Sequence, residues 1–506
     1  MPAMILSATS VGVEGHLVRV EGDRNPGLPK FLVVGLPDTA VQESRERVRS
    51  AIRAAGFFFP RGHITVNLAP ADLRKAGPGF DLPIALALLV QTKQLDPAVC
   101  AEKVFAGELG LDGTLRPIRG ALLIARAART EQAKLCVVPK HNGPEAALVD
   151  GIQVVAPQTL HQLIQYLRGE ITIAPPTPIP PAHHLPTDQD FALVRGQAQA
   201  KRALEIAAAG GHNVLLVGPP GSGKTMLARC LPTILPPLTE PEALEVTAIH
   251  SVGGVLPADT PLQLRRPFRT PHHTTSTVAL VGGGSLPKPG EVSLAHHGVL
   301  YLDELPEFPR QALEALRQPL EDGVVTVARA AQSLQFPARC TLVASQNPCP
   351  CGFRGDSQRQ CVCSSRQLLQ YERKVSGPLL DRIDLHIHVP RQTFSTLRID
   401  GVRSEDSASI AQRVAKARKL QQTRFASVGL CTNAQMQQAQ VAAYCQVDAV
   451  SHTLLQQAVD SLHLSARGYV RVLKVARTIA DLAASESIQM QHVAEALQYR
   501  SQPVFG

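Results

Sequence analysis

No tryptophan occurs in the 506 residues, and aromatic side chains of all kinds make up only 4% of the chain. That scarcity argues against a surface that binds single strands by stacking bases on aromatic rings. Long apolar runs are missing too: a stretch such as residues 84–90 is far too short to span a bilayer. The first ten residues hold no basic segment and no extended apolar core, so no secretory signal is expected. A cytoplasmic protein with no membrane partner is the expectation. Fixed-period repeats are absent. Cysteine is sparse and uneven. Of ten, six are scattered (Cys100, Cys136, Cys230, Cys340, Cys431, Cys445) and four crowd together, which points to a metal site more than to a disulfide framework.

What is present describes a multidomain chain. At 506 residues it exceeds a single core, and two or three domains are expected. A formal net charge of +9 is compatible with a polyanionic partner, although a mildly basic enzyme carries the same signature. Residues 174–186 are so rich in proline that they read as a stiff, extended linker. The boundaries read as a first domain at 1–170, a linker at 171–188, an α/β core at 189–400 and a helical region at 401–506. Residues 32–34 and 64–68 read as strands, and 41–55 as an amphipathic helix. Past the linker, residues 214–217, 298–302 and 340–344 read as buried strands. Strands alternating with helices predict a parallel sheet wrapped by helices. From about residue 404 to 499 the pattern is helical only, with apolar positions three and four apart in 410–420 and 468–484.

The sharpest chemical signal is Gly218, Pro219, Pro220, Gly221, Ser222, Gly223, Lys224 and Thr225. The segment follows one apolar strand and opens a helix, and Met226, next on that helix, is read with it as nucleotide-binding. Glycines let backbone N–H groups close on phosphates, and the helix N-terminus adds positive potential. Lys224 is placed to reach the β- and γ-phosphates of ATP, and Thr225 to ligate Mg²⁺. A chance glycine-rich turn is the competing reading, and the filled motif and flanking strand speak against it. Asp303 and Glu304 end the strand at 298–302. Asp303 reads as the second Mg²⁺ partner and Glu304 as the base that polarises the attacking water. Alone, such a pair is often a solvated strand end. Asn347, after the next strand, is placed to orient water or sense the γ-phosphate, with a loop-capping role as the alternative.

Cys349, Cys351, Cys361 and Cys363 bracket a short loop directly after Asn347. Four thiolates so placed are a candidate Zn²⁺ site. Reduced free thiols and a reversible disulfide compete, because C-x-C is tighter than the common knuckle spacing. Two further segments carry basic side chains that could hold the phosphates of a polyanion without reading sequence. One is residues 266–291, with Arg269, His272, His273 and Lys288; the other is 322–339, where 323–327 predicts a hairpin and Arg329 and Arg339 add charge. Structural hydrogen bonding by the histidines and ordinary surface charge are the alternatives.

Several long strings resemble one family in the right order: Gly35-Leu-Pro-Asp38, Lys75-Ala-Gly-Pro-Gly-Phe-Asp-Leu-Pro83, Arg266-Pro-Phe-Arg-Thr-Pro-His-His273, Ser293-Leu-Ala-His-His-Gly298, Ser376-Gly-Pro-Leu-Leu-Asp-Arg-Ile-Asp384 and Leu464-Ser-Ala-Arg467. The chain is similar through almost its whole length to the magnesium-chelatase-like AAA+ ATPases, within them to the ComM/YifB family. The resemblance implies a hexameric ATP-dependent ring motor that drives DNA branch migration in homologous recombination, notably in natural transformation, on single-stranded, duplex or branched DNA. It implies that Arg382 is an arginine finger reaching a neighbouring subunit's γ-phosphate, a task for which a permanent, fork-shaped charge is suited. A helix-end arginine paired with Asp381 or Asp384 is the alternative. It implies that Arg467 is a nucleotide-sensing residue of a C-terminal helical lid and that Val194 to Gln197 lies on the adenine side. Finally, it implies a Lon-protease-like first domain of the ribosomal-protein-S5 type. There the chain departs from the protease: Gly79 stands where the serine would be and Leu122 where the lysine would be, so proteolysis is not expected. The rival readings are a protein-remodelling ATPase of the metal-chelatase type, an ATP-dependent protease and a non-catalytic ATP-binding scaffold.

Overall fold

The computed structural model describes residues 3–75, 77–177, 189–257, 260–284, 287–329, 332–356, 358–392, 404–462 and 464–500. The expected linker lies outside the described residues from 178 to 188. Two compact units emerge: Met1–Ala182 with Glu240–Gln263, and His183–Thr239 with Leu264–Gly506.

The first unit is built on a seven-stranded mixed sheet. Its order is Lys30–Val34, His63–Ala69, Glu14–Asn25, Ala3–Val11, Lys103–Phe105, Leu135–Val137 and Gln153–Val155. Ala3–Val11 and Glu14–Asn25 pair antiparallel around a two-residue turn, and the last three strands run parallel. The predicted strands at 32–34 and 64–68 lie within the first two strands of this order, and the predicted helix at 41–55 forms as Thr39–Gln42 and Ser44–Ala54. The apolar run at 84–90 belongs to Asp81–Gln91, a helix buried from Asp81 through Val90.

Residues Glu240–Gln263 were read from sequence as part of the 189–400 block, yet they pack in the first unit. Ala248 of the helix Glu240–Gly253 joins a core with Ala121, Leu122, Ala125 and Val138. Ser251 Oγ donates to the buried carboxylate of Glu145 at 2.6 Å and accepts from the Gly120 N–H at 2.8 Å. Glu145 also accepts from the Leu122 N–H at 3.0 Å. Burial pushes this carboxyl up, and its hydrogen-bond donors oppose the rise.

The second unit carries a five-stranded parallel sheet in the order Phe268–Arg269, Val299–Leu302, Thr341–Gln346, Val214–Val217, Leu385–His388. Val214–Val217 is apolar at every position because both faces are covered. Val214 and Leu216 enter one core with Val414, Phe425 and Ile479; Leu215 and Val217 enter another with Leu300, Leu305 and Leu379. That is the period-two alternation of a strand. The predicted strands at 298–302 and 340–344 form, and the all-helical region follows as Ser407–Phe425, Gln438–Tyr444, Ala449–Leu462, Ala466–Leu482 and Met490–Gln498. The predicted hairpin is Val324–Arg329 against Gln332–Pro337, antiparallel, with its tip at 330–331 outside the described residues. Among the described residues no helix is long and apolar enough to cross a membrane.

Candidate active site

The fourth strand of the five-stranded sheet, Val214–Val217, lies between Thr341–Gln346 and Leu385–His388, where chain connections depart in opposite directions. A parallel sheet opens its ligand crevice at the carboxyl ends of such strands. The phosphate loop leaves there. Gly223 holds φ at +92°, a value that suits glycine, and caps the helix Lys224–Ile234. Lys224 is buried, and its Nζ donates to Gly218 O at 2.7 Å, Pro219 O at 3.0 Å and Asn347 Oδ1 at 3.3 Å. Burial lowers its pKa, while Asp303 and Glu304 act to raise it. The sequence placed Lys224 and Asn347 in one site, and the fold joins them directly.

Thr225 Oγ1 donates to Asp303 Oδ2 at 3.1 Å. Asp303 Oδ1 accepts from Ser345 Oγ and from the Glu304 N–H, the latter at 3.1 Å. The Tyr301 hydroxyl lies 3.2 Å from both Thr225 Oγ1 and Ser345 Oγ, which share its single proton as acceptors. Burial pushes this phenol up to about 12, so it stays a neutral donor. Tyr301 and Ser345 escaped the sequence reading. Their signal was a polar atom inside an otherwise apolar strand, where an unpaired hydroxyl is costly. Thr225 and Asp303 set two hard oxygens side by side, the donor set that suits Mg²⁺ bound with ATP phosphates.

Glu304 differs from its neighbour. Its backbone is left-handed at φ +54° and its side chain is 57% exposed. It borders a cleft of about 340 Å³ shared with Asn347, Tyr371 and Lys374. His273 Nδ1 lies 3.7 Å from Glu304 Oε2, so this candidate DNA contact sits instead beside the acidic pair. Arg269 also departs from the loop reading. It belongs to the edge strand and forms a two-pronged ion pair with Glu291 at 2.6 and 2.8 Å. Lys288 and Arg339 are exposed. Gln197 donates to Ser222 O at 3.1 Å and Pro390 O at 2.7 Å, tying the segment at 194–197 to the phosphate loop.

Arg382 is 8% exposed. It donates to Arg317 O at 3.1 Å, Pro378 O at 2.8 Å and the Glu321 carboxylate. Its partner is therefore Glu321, not Asp381 or Asp384. Arg467 Nη2 lies 3.5 Å from the same Glu321. Asp384 is buried and instead receives Arg471 at 2.6 Å, His212 at 3.3 Å and the Asn213 N–H at 3.2 Å.

The four clustered cysteines converge. Their sulfurs all lie within 4.8 Å of one another, with closest separations of 3.3, 3.6 and 3.7 Å among Cys349, Cys351 and Cys361. No disulfide joins them. Zn–S bonds of about 2.3 Å in a tetrahedron place sulfurs about 3.8 Å apart. The N–H groups of Cys351 and Arg354 donate to Cys363 Sγ and Cys349 Sγ at 3.4 and 3.3 Å. These four residues could hold a metal. The loop also touches the phosphate loop: a Cβ on Gly352 would come within 2.7 Å of Pro220.

Strand order, phosphate loop and acidic pair together define an ATP-binding core of the AAA+ type. Residues 190–397 match the family described as magnesium chelatase, subunit ChlI; residues 20–142 match subunit ChlI of Mg-chelatase, and 404–500 its C-terminal part. The chain is 44% identical over 505 residues to competence protein ComM of Haemophilus influenzae, covering 99% of this chain and 97% of the relative. It is 42% identical over 500 residues to the uncharacterized protein YifB of Escherichia coli, covering 99% and 97%. The magnesium-chelatase 38 kDa subunit of Cereibacter sphaeroides is 29% identical over 175 residues, 31% of this chain and 52% of that one. The chain belongs to the ComM/YifB family of magnesium-chelatase-like AAA+ proteins. Membership implies ATPase activity with ATP and Mg²⁺.

Proposed function

We propose that the protein is a DNA motor: a hexameric ATPase that promotes branch migration in homologous recombination, during natural transformation. The observation that carries the ATPase half is the joining of Lys224, Thr225, Asp303 and Asn347 at the carboxyl end of one sheet, with Glu304 beside them. The near-full-length likeness to a competence protein supports the DNA half. In this reading Lys224 neutralises the phosphates, Thr225 and Asp303 hold Mg²⁺, and Glu304 takes a proton from the attacking water. Bound Mg²⁺ would supply charge stabilisation at the phosphates. Asn347 positions the γ-phosphate side. Arg382 and Arg467 complete the site, the helices from Ser407 onward act as a lid, and the first unit is a Lon-like module without protease chemistry. Lys75, beside Gly79 in that module, is fully buried with its Nζ on Pro70 O. The four cysteines hold Zn²⁺, and the hairpin at 324–337 contacts DNA phosphates.

The test is ATP turnover with single-stranded, duplex and four-way-junction DNA, with Lys224→Ala as the blank. Stimulation greatest on branched DNA, and lost steeply with added salt, is the expected result. Robust turnover indifferent to every DNA would reject the DNA motor in favour of a protein-remodelling ATPase of the chelatase type.

A further inference from the structure

Arg382 and Arg467 are far apart in sequence, yet one carboxylate joins them. Glu321 Oε2 accepts from Arg382, and Glu321 Oε1 lies 3.5 Å from Arg467 Nη2. Two guanidinium groups brought together repel, and a single carboxylate offsets only one of their charges. A terminal phosphate carries more charge and more acceptor oxygens than a carboxylate, and the arginine fork matches it.

The surroundings separate a fixed contact from a releasable one. Arg467 and Arg471 stand one turn apart on the helix Ala466–Leu482. Arg471 pairs with Asp384, whose side chain is 7% exposed, and Asp384 is further held by His212 and the Asn213 N–H. One turn earlier, Arg467 at 60% exposure meets Glu321 at 49%. The inner pair pins the helix in place. The outer pair lies in water, where such contacts are weak and easily exchanged. Glu321 also sits in the last turn of the short helix Arg317–Asp322, directly before the hairpin strand Val324–Arg329.

We infer that Glu321 is a positioning residue that holds Arg382 and Arg467 together in the single chain and yields both to the terminal phosphate of a nucleotide bound to a second copy of this chain. The inference rests on the reading of Arg382 as an arginine that acts between copies. Glu321 then opposes assembly until a nucleotide-loaded neighbour outcompetes it.

The test measures ATP turnover of the full chain against protein concentration for the wild type, Glu321→Gln, Glu321→Asp and Arg382→Ala. Binding of a fluorescent ATP analogue to dilute protein reports each chain's own phosphate loop. Glu321→Gln is expected to lower the concentration of half-maximal turnover by about two- to fivefold, the range open to the exposed Arg467–Glu321 pair. Nucleotide affinity in dilute protein should not change, and Glu321→Asp should return towards the wild type. A wild-type midpoint in Glu321→Gln, or turnover that collapses as in Arg382→Ala, overturns the inference. Full turnover in Arg382→Ala rejects instead the reading of Arg382 on which it stands.

Discussion

Asp303 and Glu304 are adjacent, yet their surroundings give them different work. Asp303 is gripped by Thr225, Ser345 and the backbone N–H of Glu304. Glu304 is left half in water by a left-handed backbone that directs the chain into the turn Leu305–Glu307. A locked carboxylate suits metal binding, and a free one suits a base. Glu304→Gln is therefore expected to cut turnover by about 10²- to 10⁴-fold while a fluorescent ATP analogue binds as before. Loss of binding in parallel would show that Glu304 shapes the pocket and does not act as the base. Lys224 was legible in sequence because the phosphate-loop motif fixes its place, and Asp303 and Asn347 because each follows an apolar strand. Tyr301, Ser345 and Glu321 were not, because their partners are brought up by the fold from other strands and helices.

Asp384 joins elements. It follows the Arg382 segment and touches Asn213 at the foot of the phosphate-loop strand and Arg471 on a C-terminal helix. Burial alone would raise its pKa; the His212 hydrogen bond and the Arg471 charge override burial and hold the carboxyl well below its usual range. The sign follows. A depressed carboxyl stabilises the fold fully above its unfolded value of about 4 and loses that contribution as pH falls through the lowered value. Asp384→Asn should destabilise the protein by about 3 kcal/mol at neutral pH, the cost of leaving a buried charge unpaired. Denaturant melts should show the full gap between the two proteins at about pH 7 and a gap that narrows progressively as pH falls below about 4 towards the lowered value; a constant gap would discount the ionic account. The cysteine loop is the second element-scale test. Protein purified without added metal should carry about one zinc per chain. Cys361→Ser should lose it and lower the melting temperature. A fully stable, metal-free wild type would reject the site. Strands and helices of this unit were readable because apolar spacing reports local geometry. Phe268–Arg269 was not, since two residues carry no period and only the neighbouring strand Val299–Leu302 defines them as a strand.

At the scale of the whole molecule, one piece read from sequence as part of the 189–400 block packs with the first unit. The helix Glu240–Gly253 buries Ala243, Val246, Thr247, Ala248, Ile249 and Ser251, so it shows no clean apolar stripe to reveal where it packs. Its place in the first unit depends on Glu145 and Gly120, more than a hundred positions upstream. Deleting residues 1–182 is expected to strip this helix of its core partners. The remaining chain should aggregate in size-exclusion chromatography, and removing 240–263 as well should restore solubility. A monodisperse first truncation would refute the packing described for Ala248.

The backbone passes between the two units at 182/183, 239/240 and 263/264. The sheet-bearing segment that begins the chain and the helix it packs against are thus encoded on opposite sides of the proline-rich stretch. A protease that severs that stretch cuts the only covalent tie of residues 1–182 to the rest, yet the severed piece still encloses a helix the other fragment carries. Nicked molecules should run as two bands when denatured and as one species when native. Recombination at the gene level that exchanged the two ends of the reading frame would have to exchange the helix as well, which binds the inheritance of the two halves together.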